Sequence, residues 1–89
     1  MPVICMFYGI YVMIQFEAKL SHHSPHIHAR YAEFAASIAI EDGRVLAGSL
    51  PSKQLKLVQA WMELHNEELL ADWQLAVTGQ RPFRIAPLQ

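Results

Sequence analysis

Eighty-nine residues make one small domain with a single core, and a hydrophobic share of 53% against 17% charged residues excludes an intrinsically disordered chain. A formal net charge of -1 excludes the broad basic field that carries non-specific nucleic-acid affinity, so any RNA contact must be local. The same apolar excess is more than a small monomer easily hides, which predicts a homodimer or a complex with a second protein.

The run from Met1 to Phe16 carries no charge, yet it has no basic start and no small-residue cleavage site, and it falls short of the roughly 20 residues that span a bilayer. Its aromatic and β-branched residues, among them Ile4, Phe7, Tyr8, Ile10, Tyr11, Val12, Ile14 and Phe16, predict strands of a core hairpin broken or bulged at Gly9. Cys5 is the only cysteine, which excludes an internal disulfide and fits a reducing cytoplasm; it reads as a small buried hydrophobe. No membrane partner is expected.

Glu17 to Ser24 is polar and reads as a loop, closed at Ser24-Pro25 because a residue before proline is pushed to extended geometry. A strand from about His26 to Tyr31 follows, and Ala32-Glu33 serves as a tight link to a second strand, Phe34 to Ile40. In that strand Ala35, Ser37 and Ala39 share one face, small enough that something should pack closely on it. Asp42-Gly43 is a hairpin signal that returns the chain into Val45-Leu46-Ala47.

At Pro51 the pattern changes. Ser52 is positioned to cap a helix to about His65, with Leu55, Val58, Trp61 and Met62 in one stripe and Leu64 at its edge. Asn66, Glu67 and Glu68 read as an Asx cap and acidic first turn of a second helix carrying Leu69, Leu70, Trp73 and Val77, with Gly79 as its stop. A single bent helix from Ser52 to Val77 is the alternative. His65 should interact with helix-terminal carbonyls, Trp61 and Trp73 should be core or interface aromatics, and Lys53 and Lys56 should lie on a solvated face. Arg81 and Arg84 suit ion pairs with Glu67 or Glu68, or a weak polyanion contact; the tail 80–89 should lie extended with Phe83, Ile85 and Leu88 as anchors.

The expected fold is therefore α+β, an antiparallel meander followed by two C-terminal helices packed on one face. The single domain 1–89 divides into strands over 1–50, helices over 51–79 and the extended tail.

Four of the five histidines fall between His22 and Arg30, in the string His22-His23-Ser24-Pro25-His26-Ile27-His28-Ala29-Arg30. In a strand, His26, His28 and Arg30 share one face while Ile27, Ala29 and Tyr31 share the other. Three readings follow. Two imidazoles can act as base and acid near neutral pH, with Arg30 as a fork for a phosphate, which makes His26, His28 and Arg30 candidate catalytic or phosphate-recognition residues needing no cofactor. Alternatively, His26 and His28, about 6.6 Å apart by strand rise, converge on a divalent transition metal with His23 or His22, and Glu33 as a further ligand, although no spacing here matches a standard zinc motif. In the third reading the imidazoles are hydrogen-bonded to backbone or to a partner chain on a solvated strand face. Whether the protein is an enzyme stays open at this point, for no nucleophile elbow or cysteine-histidine pair is present.

Met6-Phe7-Tyr8-Gly9-Ile10, His23-Ser24-Pro25-His26-Ile27-His28-Ala29-Arg30-Tyr31, Asp42-Gly43, Gly48-Ser49-Leu50-Pro51, Trp61, Leu64-His65, Glu68-Leu69-Leu70, Trp73 and Ile85 to Leu88 together resemble the bacterial family known as domain of unknown function 4160. Ser24 departs from the proline or bulky apolar residue common there, and Ala86 from a frequently polar position; neither touches His26 or His28. The resemblance implies a short cytoplasmic protein, often encoded beside a second small protein, and a toxin-antitoxin-like or accessory role in which the histidine strand meets RNA, phosphate or that partner. It supplies no mechanism.

Overall fold

The computed structural model describes residues 2–15 and 24–88. Five strands, β1 (Val3–Phe7), β2 (Ile10–Met13), β3 (His26–Tyr31), β4 (Phe34–Ala39) and β5 (Val45–Ser49), pair antiparallel in sequence order, and two helices follow, α1 (Ser52–Leu64) and α2 (Asn66–Val77). This is the α+β arrangement expected from alternation before Pro51 and helical spacing after it.

The turns fix the pairing. Tyr8 and Gly9 both take positive φ, 49° and 78°, so the chain reverses in two residues and Phe7 pairs with Ile10. Ala32, at φ 52°, does the same between Tyr31 and Phe34. Two irregularities adjust the sheet. One lies between Val3 and Cys5, and both Ile4 and Cys5 are buried there. Burial pushes the Cys5 thiol above its ordinary range, against smaller lowering effects of a Met6 backbone hydrogen bond and the Arg84 charge. The other falls between Ser37 and Ile38, whose partners Ala47 and Val45 leave Leu46 as the extra residue of β5. Two residues on, Gly48 takes φ 74°, and a Cβ there would lie 2.1 Å from the Ala35 carbonyl oxygen.

One face of the sheet is the core face. Cys5, Val12, Ala29 and Ala36 form a row across β1 to β4, with Ile27 beside Ile38, and against them pack Val58, Trp61 and Met62 of α1, Leu69 and Trp73 of α2, and Ile85 of the tail. Leu64 is exposed, as its place at the stripe's edge requires. Gly79 ends α2 at φ 80°: its amide donates to the Ala76 carbonyl and that of Gln80 to Leu75, a Schellman closure.

Several local expectations are corrected. Ser52 is inside α1 and caps nothing; Pro51 takes the boundary, its carbonyl accepting the Leu55 amide. Asn66 makes no side-chain cap of α2, because its amide donates to the Ile40 carbonyl and ties the helix start to the sheet. His65 pairs through Nδ1 with Glu68 Oε1 at 2.6 Å and rests on Trp61 instead of meeting terminal carbonyls. Arg81 and Arg84 form no ion pair among the described residues. In the tail, Ile85 is buried and its amide bonds Ile4, and Trp61 Nε1 donates to Ala86, but the Phe83 side chain is 73% exposed; what holds Phe83 is its amide, which donates to Asp72.

Candidate recognition site on the open sheet face

The opposite face of the sheet is where the histidine strand presents its polar side chains. Apart from the two irregularities at Val3–Cys5 and Ser37–Ile38, the strands pair in continuous register, so its residues line up in rows across them. Met6, Tyr11, Arg30, Ala35 and Ser49 form one row, and Val3, Met13, His28, Ser37 and Ala47 the next. His26 begins a third, beside Ala39. A concavity of about 630 Å³ lies over the middle of this face, lined by Met13, Gln15, His28, Arg30, Ser37 and Ala47 together with Ala29, Ala35, Ala36 and Gly48. Among the described residues no acidic side chain lines it.

His26 and His28 do share a face, with ring centroids 5.1 Å apart in an edge arrangement. Their environments differ. His26 is 4% exposed, its ring 5.1 Å from that of Trp73, and its Nδ1–H donates to the Ser24 carbonyl at 2.8 Å. A carbonyl can only accept, so this bond fixes the proton on Nδ1. The expectation that His26 stands on a solvent-facing surface is thus corrected: α2 brings Trp73 over the first residue of β3. His28 is half-buried, and its Nδ1 lies 3.3 Å from the Ser37 hydroxyl. Arg30 is exposed and, among the described residues, has neither an ion pair nor a hydrogen-bond partner.

His22 and His23, and with His23 one member of the metal set of His23, His26 and His28, lie outside the described residues. Among the described residues no group of three or more His, Cys, Asp or Glu is placed to hold an ion, and Glu33 sits exposed in the turn beyond the Arg30 end of β3. In the sequence Ser37 stands out as part of a small-residue face and Tyr11 as a strand residue, neither as a neighbour of His28 or Arg30. Their signal was nonetheless available, since a two-residue turn at Ala32-Glu33 obliges Arg30 to face Ala35 and His28 to face Ser37. Trp73 against His26 has no such local signal.

An antiparallel sheet with helices on one side, and on the other a concavity that Arg30 and His28 line, defines a small α+β domain. The chain belongs to the family described as Domain of unknown function (DUF4160), whose model matches residues 9–74. That stretch runs from the first turn through Trp73 and so contains Tyr11, His26, His28, Arg30 and Ser37, leaving out β1 and the tail. No curated protein and no solved structure matches the chain significantly.

Proposed function

We propose that the protein is a binding module whose open sheet face recognises a phosphate-bearing ligand through Arg30 and His28, with Ser37 beside them. The observation that carries this reading is charge: of the seven acidic side chains among the described residues none lines the concavity, and Arg30 projects there without a counter-ion among those residues. A guanidinium fork next to an imidazole and a hydroxyl suits phosphate oxygens. Recognition is favoured over acid–base hydrolysis because His26 is sequestered against Trp73 with one ring nitrogen committed to Ser24, so among the described residues His28 is the one imidazole of β3 that lines the concavity.

A cytoplasmic accessory or toxin-antitoxin-like component, acting as a dimer or with a small protein encoded nearby, fits such a module. Leu64, Leu70, Val77 and Phe83 are exposed in the helices and tail and supply apolar surface for that contact. Titration of the labelled protein with pyrophosphate, followed by amide and side-chain NMR shifts, tests the anion reading. Shifts should concentrate at His28, Arg30, Ser37 and Ala47 and vanish in Arg30→Gln; shifts spread evenly over the surface, or centred on Arg81 and Arg84, would rule it out.

A further inference from the structure

We infer that the ligand of this face is a single-stranded nucleic acid, with a base seated in the recess next to Tyr11 and its phosphate on Arg30; this deepens the anion-recognition reading and rests on it. The two cross-sheet rows are not level. Exposed Tyr11 on β2 and exposed Arg30 on β3, with half-buried His28 on the same face of β3, form the raised side, whereas Ala35, Ser37, Ala47 and Ser49 on β4 and β5 extend no further than a methyl or hydroxyl. The step between them is one side chain deep. A recess of that depth takes a single planar layer, and a base is such a layer; a duplex, whose bases are stacked and paired inside its phosphate ridges, cannot insert one.

Tyr11 and Arg30 are direct cross-strand partners and both are exposed, so an aromatic face for stacking and a guanidinium for a phosphate stand side by side. Arg30 and His28 are two residues apart on one strand face, about 6.6 Å by strand rise, a separation suited to successive phosphates of an extended strand. From β2 to β5 the face spans three interstrand intervals, about 14 Å, room for a base and its ribose beside a backbone that follows β3. The Ser37 and Ser49 hydroxyls can both donate and accept, as base edges or a ribose require. An anionic peptide fits less well: sheets recognise extended peptides by main-chain bonds at an open edge, and this surface offers side chains only.

Fluorescence anisotropy of a labelled oligouridine, the matching oligodeoxythymidine and a duplex of equal length tests the proposal on the full chain, with pyrophosphate and a phosphopeptide as competitors. The single strands should bind at least about tenfold more tightly than the duplex, and Tyr11→Ala and Arg30→Gln should each weaken them by about tenfold. Ala35→Glu, which sets a carboxylate on the floor, should abolish binding with an unchanged circular-dichroism melt. A preference for the ribose strand would assign the hydroxyls to the sugar, and equal binding to base and phosphate alone; either supports the inference. Binding of pyrophosphate at Arg30 with no gain from an oligonucleotide, or tighter binding of the phosphopeptide, overturns it while leaving the anion reading intact. Failure of every anion to bind overturns both.

Discussion

At 4% exposure His26 holds its ring against Trp73 and its Nδ1–H on the Ser24 carbonyl, whereas half-buried His28 faces Ser37 on the open side. Two imidazoles that look equivalent in a period-two pattern therefore divide their roles. His26→Ala removes a buried ring and orphans a carbonyl, so it should cost about 2 kcal/mol in urea unfolding, with His28→Ala nearer 0.5 kcal/mol. Ligand binding should respond in the opposite order, and equal stability losses from the two variants would contradict the assignment. Asp72 is the second residue whose burial matters. It is 3% exposed on α2; Oδ1 accepts the Phe83 amide, while Oδ2 has no hydrogen-bond partner among the described residues. Burial raises its pKa above the ordinary 3.8, opposed by the Phe83 hydrogen bond and reinforced by nearby Glu68. A carboxyl with a raised folded-state pKa binds more protons folded than unfolded, so its ionisation costs stability as pH rises from 3.8 through the folded value. Asp72→Asn keeps an acceptor for Phe83 and has no charge to bury. Melts across that interval should show wild-type stability falling with pH relative to the variant; parallel curves would mean the carboxylate is compensated.

Among the elements, the hairpins carry the backbone strain. Ala32 sits at φ 52°, a conformation that costs an L residue about 1–2 kcal/mol and glycine little, so Ala32→Gly should stabilise the protein by about 0.5–1 kcal/mol after the glycine's extra unfolded-state entropy is subtracted. A lower urea midpoint in that variant would show that the turn relaxes some other way. Gly48 presents the reverse case: at φ 74°, with Ala35 oxygen 2.1 Å from any added Cβ, Gly48→Ala should cost about 3 kcal/mol or more by separating β4 from β5. Near-wild-type thermal stability would exclude that clash. Strand order, both helices and the Gly79 stop were legible in the sequence because alternation, Asp-Gly, Pro51 and the apolar spacing are local signals, and the β3–β4 register follows from turn length alone. The caps were not. Ser52 and Asn66 have the right chemistry at helix starts, but Pro51 set the α1 boundary and Asn66 was drawn to the Ile40 carbonyl, a tertiary partner 26 residues away in sequence. Trp73 is in the core as its spacing predicts, but its contact with His26 and the burial of Asp72 were illegible for the same reason, since they are built by β3 and by the tail.

For the molecule as a whole, the sheet gives one face to the core, and exposed apolar side chains lie both on the sheet and its first turn, at Met6, Tyr8, Tyr11 and Val45, and in the helices and tail. Leu64 and Phe83 are 71% and 73% exposed, and Leu70 and Val77, seven residues apart on α2, project from one side of that helix. Side chains of this kind favour burial by about 25 cal/mol for each Å² removed from water. In a chain that is 53% hydrophobic, a second copy is the partner always present at the same concentration, and a two-fold contact would bury the patch twice. Sedimentation equilibrium at tens of micromolar should accordingly give a dimer mass. Leu70→Glu with Val77→Glu should return it to a monomer, because a carboxylate at each position would have to be desolvated in the contact. Binding at Arg30 should survive in that double variant, as its substitutions lie on α2 and not on the sheet face. A monomeric wild type at that concentration would remove the self-association proposal, and a dimer indifferent to both substitutions would move the contact away from α2.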